Sequence, residues 1–149
     1  MLDARALSDR ALITDVLLSY GRGVDSGDTE RVIACFTDDV HSEHGGVDVM
    51  DGIAEVREWV EQHRCKRLIP LDEIHQTMHL LSNTTIDLDG DEADTVTYCV
   101  SYVVGTRAGA PLMLVRGHHY VDHFVRVGEG WAIEHRVHRP RWQFEQVPV

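Results

Sequence analysis

Apolar residues recur at helical spacing near the start of the chain and at strand spacing through its second half. Leu12, Ile13, Val16, Leu17, Tyr20 and Val24 share one helical face, and Ser8 stands where a side-chain oxygen can cap that helix. Gly21, Gly23 and Gly27 loosen the pattern. Asp28 restarts it as the cap of a short helix through Val32, Ile33 and Phe36. Thr37-Asp38-Asp39 predicts a turn into a short strand around Val40. Asp51 predicts the cap of a third helix with Ile53, Val56, Trp59 and Val60 on one side.

After Pro70 the pattern changes to four β-like runs, near 76–87, 93–107, 112–127 and 131–139. The turn signals between them lie at Asp87–Asp91, Ala108–Pro111 and Gly128–Gly130. Links this short predict an antiparallel meander. Helices first and long strands afterwards indicate an α+β fold, with no internal repeat or linker, hence one domain over 1–149. A sheet wrapped around the early helices would enclose a pocket.

Composition narrows the partners. At 149 residues the chain can bury a real core without disulfide or metal staples. A formal charge of −11 opposes nucleic acid and anionic membrane surfaces, whose phosphates would be repelled. No apolar run approaches the roughly 20 residues needed to span a bilayer. The N-terminus lacks the basic and apolar regions of a signal peptide. Cys35, Cys65 and Cys99 are scattered with no C-x-x-C, so the expectation is a cytoplasmic protein with reduced thiols. Lys66 is the only lysine.

Candidate chemistry centres on Tyr20, Asp25 and His79. Tyr20 and Asp25 lie about 140° apart around a helix, and the glycines near position 23 put Asp25 at or beyond the helix end, able to swing toward a pocket. His79 sits between Met78 and Leu80 in a run that otherwise looks buried, and imidazole suits general acid/base work near neutrality. Read singly, Tyr20 is better explained as a core aromatic and Asp25 as a turn residue, and His79 is equally a core histidine. Ten histidines invite a metal reading, with His75, His79, His118, His119, His123, His135 and His138 as imidazoles and Glu43 or Asp122 as a carboxylate. But His118 and His119 point to opposite faces of a strand, and no spacing matches a zinc signature, so no metal is expected. Arg136, Arg139 and Arg141, interleaved with His135, His138 and Trp142, form a basic, aromatic edge that borders a pocket or neutralises local acidity. No serine has a nucleophile-elbow context, and there is no phosphate loop or dinucleotide fingerprint, which leaves acid/base chemistry without a cofactor.

SYGRGVDSGDTERVIACFTDDV, MHLLSNTTIDLDGDEA and GEGWAIEHRVHRPRW resemble the SnoaL-like branch of the nuclear transport factor 2-like superfamily. That superfamily includes scytalone dehydratase, bile acid 7α-dehydratase, polyketide cyclases and ketosteroid isomerase. The resemblance covers about residue 8 to Trp142. It implies a cone-shaped α+β barrel, with N-terminal helices on a strongly curved, mostly antiparallel sheet around a pocket. It also implies a lyase or isomerase of dehydratase type acting on a small hydrophobic oxygenated ring compound. In that scheme His79 is the base, Asp25 orients it, Tyr20 donates to a carbonyl or leaving hydroxyl, and Arg141 with Trp142 holds the substrate. The dehydratases carry a second acid/base residue on the strand corresponding to 96–104. Here VTYCVSYVV offers only Tyr98, Cys99, Ser101 and Tyr102, of which Tyr102 can donate a proton, and His118 and Tyr120 on the next strand are the substitutes. A homo-oligomer, dimer or trimer, paired through the sheet face is implied as well. The alternatives are a non-catalytic small-molecule-binding domain or a structural subunit like the β subunit of ring-hydroxylating dioxygenases.

Overall fold

Asp3, not Ser8, starts the first helix. Its side chain accepts from the Ala6 amide and caps α1, Ala4–Ser26, in this computed structural model, which describes residues 3–63 and 69–147. Cys65 and Lys66 lie outside the described residues. Gly21 and Gly23 do not end α1. It runs through them to Gly27, whose left-handed φ of 72° forms the C-cap. Asp28 caps α2, Thr29–Ile33, by accepting from Arg31 N–H, as its position predicts.

Two strands follow, β1 (Phe36–His44) and β2 (Asp48–Asp51). The third helix, α3 (Ile53–Glu58), begins after Gly52 at φ 88° with no side-chain cap, and continues as a π-helical turn, Trp59–His63. Asp51 is instead the last residue of β2, and its amide donates to Glu55 Oε2. The four predicted runs are four strands, each longer than expected: β3 (Glu73–Asp89), β4 (Glu92–Arg107), β5 (Ala110–Val127) and β6 (Gly130–Gln146). Their turns use positive φ at Gly90, Gly109 and Gly128, where an L side chain would be strained.

The six strands form one sheet in the order β2-β1-β6-β5-β4-β3. Strands β3 to β6 are the antiparallel meander. β1 departs from it by joining β6 in parallel, with an irregularity between Phe36 and His41. Helix α1 packs against both β3 at one edge and β6 three places away, so the sheet must curl around it. The barrel stays open, because β2 and β3 are its two edges.

Alternation along the strands then assigns each residue to a face. Val40, Phe124 and Ile133 point inward and meet Ile13 and Leu17 of α1 in a core closed to solvent. Each such side chain contributes about 1.5–3 kcal/mol by leaving water. The amino-terminal part of α1 is pinned by buried Asp9, which accepts from Arg126 Nη2 at 2.9 Å and Trp131 Nε1 at 3.1 Å.

Candidate functional site

Asp25 is in the last turn of α1 and His79 is mid-strand in β3, 54 residues apart in sequence. Gly21 faces the junction of the two elements. A Cβ there would lie 2.8 Å from Leu81 Cδ1 and 3.9 Å from His79 Cβ. The Asp25 carboxylate uses both oxygens on one residue, accepting from the His79 amide at 2.9 Å and meeting His79 Nδ1 at 2.6 Å. Burial raises the Asp25 pKa, but hydrogen bonds from the His79 ring and amide, and from Thr77, outweigh it and hold the carboxyl below its usual range. An ionised Asp25 fixes the tautomer: Nδ1 carries the proton, and Nε2 is left as the basic nitrogen.

The sheet register builds the rest of the wall in rows. His79 pairs with Ser101, and Ser101 with Arg116. The next row brings Cys99 against His118, and another runs Thr97, Tyr120, His138 and His44 across four strands. Between these rows, α1 and the π-helical turn lies a cavity of about 320 Å³ lined by Tyr20, Asp25, His79, Ser101, His118 and Tyr120, together with His44, Trp59, Arg116 and His138.

His44, His118 and His138 are neutral. Burial lowers the pKa to about 3 for His44 and about 2 for each of the others, helped by neighbouring cationic groups. Their rings pack together, His118 on His138 at 4.6 Å and His138 on His44 at 4.9 Å between centroids. Both ring nitrogens of His118, Nδ1 of His138 and Oγ of Ser101 are buried without a hydrogen-bond partner among the described residues. Buried polar atoms are rarely left so. The cavity therefore offers neutral donors and acceptors to whatever enters it.

Behind the cavity stands Arg136, fully buried. Two 2.7 Å hydrogen bonds tie it to Asp122, its directly paired partner on β5. Its guanidinium lies 4.1 Å from the Tyr20 ring centre and 4.4 Å from that of Tyr120. Burial raises the pKa of both tyrosines, more strongly for Tyr120, so each keeps its phenolic proton and is a donor at neutral pH.

The structure thus brings Tyr20, Asp25, His79, His118 and Tyr120 to one cavity. Tyr102 is elsewhere. Ser101 and Val103 line the cavity, so alternation turns Tyr102 to the opposite face of β4. Arg141 and Trp142 are displaced too. They border a second recess of about 260 Å³, which shares Arg116 and His118 with the cavity and lies beside the register shift of β6 between its pairings with Gly117 and His118. The expected basic edge is divided: Arg136 and His138 face inward and buried, whereas His135, Arg139, Arg141 and Trp142 do not. The residues that sequence reasoning missed are Arg116, His44 and the pairing of Arg136 with Asp122. Inward phase is the signal, since Asp122 and Arg136 occupy core-facing positions of their strands.

The SnoaL-like domain profile matches residues 5–137. The uncharacterized protein Rv2910c of Mycobacterium tuberculosis is 29% identical over 140 residues, covering 92% of this chain and 88% of that protein. Among solved structures, a protein described as a scytalone dehydratase from Novosphingobium aromaticivorans superposes with a TM-score of 0.81 at 18% identity, over 97% of this chain and 92% of that one. The hexachlorocyclohexane dehydrochlorinase LinA-type3 of Novosphingobium barchaimii gives 0.81 at 17% identity, over 99% and 97%. With helices on a curled six-stranded sheet and a matched span from near the start of α1 into β6, the chain belongs to the SnoaL-like domain family.

Proposed function

We propose that the protein is a cofactor-independent lyase or isomerase of dehydratase type, acting by proton abstraction on a small hydrophobic oxygenated ring compound. The Asp25–His79 pair carries this reading: a carboxylate holds the imidazole by Nδ1 at 2.6 Å and leaves Nε2 to the cavity. Nε2 takes a proton from the carbon beside a carbonyl, and the C–H electron pair moves into an enolate. Asp25 stabilises the imidazolium that forms. Tyr20, a neutral donor, bonds the enolate oxygen, a contact of the kind worth about 2.7–4 kcal/mol in a transition state. The imidazolium then returns its proton to a departing hydroxyl, giving water and a new double bond, or to another carbon, giving an isomer. The names of two structural neighbours, dehydratase and dehydrochlorinase, both denote elimination. The cavity volume of about 320 Å³ sits at the small end of the roughly 300–1,000 Å³ usual for ligand sites.

The test is deuterium exchange and water loss from a panel of cyclic β-hydroxyketones in D2O, followed by NMR. Wild-type protein should accelerate both for at least one compound. His79→Ala should lower kcat by about 10²–10⁴-fold, and Asp25→Asn should lower it with little change in KM. Unchanged turnover in His79→Ala removes the catalytic reading. Thermal stabilisation by these compounds without turnover leaves a binding domain.

The chain is also proposed to be a homo-oligomer paired through the outer sheet face. Two apolar rows cross that face, Met78-Tyr102-Val115-Phe144 and Leu80-Val100-Gly117-Trp142. Phe144 is 66% exposed and Leu80 49%. Light scattering on a sizing column should give a multiple of 16.9 kDa for the wild type and the monomer for Phe144→Glu. A wild-type monomer at micromolar concentration rules the pairing out.

A further inference from the structure

The outer sheet face carries a second constellation, remote from the cavity. Register places Asp51, His41, His135, His123 and Asp94 in one transverse row across β2, β1, β6, β5 and β4. In that row the His41 and His135 rings are stacked, 5.1 Å apart and 20° from parallel. Glu43 follows His41 by two residues on β1, so it lies on the same face. His41 Nε2 is 3.4 Å from Glu43 Oε1, and the ligand-capable atoms of His41, Glu43 and His135 all lie within 4.8 Å of one another.

We propose that His41, Glu43 and His135 bind one divalent transition-metal ion, with water completing its coordination. The donor set is two imidazoles and a carboxylate, which suits Zn²⁺, Co²⁺ or Ni²⁺ far better than Mg²⁺ or Ca²⁺. Tetrahedral bonds of about 2.0–2.2 Å hold neighbouring ligand atoms roughly 3.3–3.6 Å apart. His41 Nε2 and Glu43 Oε1 already stand at that separation. The remaining contraction is toward His135, whose ligand-capable atom lies within 4.8 Å of the other two.

The fourth member is the strongest argument. Asp51 Oδ1 is 2.5 Å from His41 Nδ1. A carboxylate accepting from one imidazole nitrogen aims the other outward as a metal-binding lone pair, the usual arrangement behind a ligating histidine. All three ligands are partly exposed, so the ion has access from solvent. The site would bridge β1 and β6 where the sheet's parallel joint begins again after its irregularity, and so would tie β1 and β2 to the meander. None of the three ligands lines the cavity, so the site is structural in effect and independent of acid/base chemistry.

Calorimetric titration of Zn²⁺ into untagged, chelator-treated full-length protein tests this, with Co²⁺ absorbance as a second readout. Wild-type protein should bind one ion per chain and show visible Co²⁺ bands. His41→Ala and His135→Ala should each abolish both signals while retaining the wild-type circular dichroism. Asp51→Ala should weaken binding about 10–100-fold, and His118→Ala, in the cavity, should leave it unchanged. Absence of saturable Zn²⁺ binding by the wild type, or binding undiminished in both His41→Ala and His135→Ala, overturns the proposal.

Discussion

Arg136 and Asp122 meet inside the sheet with no solvent access to either side chain, on directly paired positions of β5 and β6. Two charges so deep cost several kcal/mol each to dehydrate, and their two 2.7 Å bonds offset that cost only while both are present. Asp122→Ala should therefore destabilise the fold by about 3–5 kcal/mol, read from urea midpoints, because it strands a guanidinium against Tyr20 and Tyr120. A loss below about 1 kcal/mol would mean that the aromatic faces alone hold the cation. This pair also marks the limit of sequence reading for single residues. Asp25 and His79 are legible as candidates because a carboxylate at a glycine-rich helix end and an imidazole between Met78 and Leu80 stand out from their surroundings, although His79 lies mid-strand. Arg136 is not, since an arginine between two histidines near a chain end looks like a solvated edge until strand phase turns it inward. Tyr102 failed for the same reason in reverse: chemistry nominated it, and pleat parity faced it away.

Among the elements, the helical corner between α1 and α2 sets the position of Asp25. Gly23 lies in α1, and Gly is about 1 kcal/mol worse than Ala inside a helix, so propensity alone favours Gly23→Ala. Packing opposes it. A Cβ on Gly23 would sit 2.8 Å from Val32 Cγ2 and 3.1 Å from the Val32 backbone nitrogen. Val32 is buried and its backbone belongs to α2, so the corner must open, and overpacking of this kind costs about 1–3 kcal/mol. The net expectation is a loss of stability with a fall in kcat as Asp25 shifts from His79. Gly117→Ala makes the control. Its Cβ would meet the Trp142 indole at 2.1 Å, but in the single chain that residue is 45% exposed and can swing aside, so the loss should be small when both glycine variants are compared in the monomeric Phe144→Glu background. Equal melting temperatures for wild type and Gly23→Ala would show that helix propensity wins. Three helices and all four long strands are readable from periodicity, but β2 is not, and residues 36–39, whose pattern predicts a helix end and a turn, begin β1. Element ends are not readable: Asp3 outcompeted Ser8 as cap, and glycines needed for close packing looked like a helix stop. The parallel joint of β1 to β6 has no local signal, because it is made by residues about a hundred positions apart in sequence.

At the scale of the molecule, acid sensitivity follows from burying His44, His118 and His138 together, ring against ring. Their folded-state pKa values, about 3 for His44 and about 2 for the other two, lie below the 6.5 of an unfolded histidine. Below pH 6.5 the unfolded chain binds protons at these positions and the folded chain does not, so stability rises with pH across this window and is lost as pH falls. Each fully linked histidine contributes a slope of about 1.4 kcal/mol per pH unit. His41 acts in the opposite sense. Its pKa is raised, chiefly by the hydrogen bond to Asp51, so its contribution is present at low pH and lost as pH rises through the folded value. It is one partly exposed ring against three buried ones, and the buried group decides the sign. Asp25, whose folded pKa is lowered, adds a further loss only as pH falls below its unfolded value of 3.8. Urea midpoints should thus be flat from pH 8 to 7 and drop steadily from about pH 6.5 to 4.5. A cavity-filling ligand that bonds His118 and His138 in their neutral forms should raise the midpoint across this whole range without moving the onset, which the unfolded histidines set. A midpoint constant down to pH 5 would mean that these histidines are protonated in the folded state. The neutral wall inferred for the cavity would then be wrong.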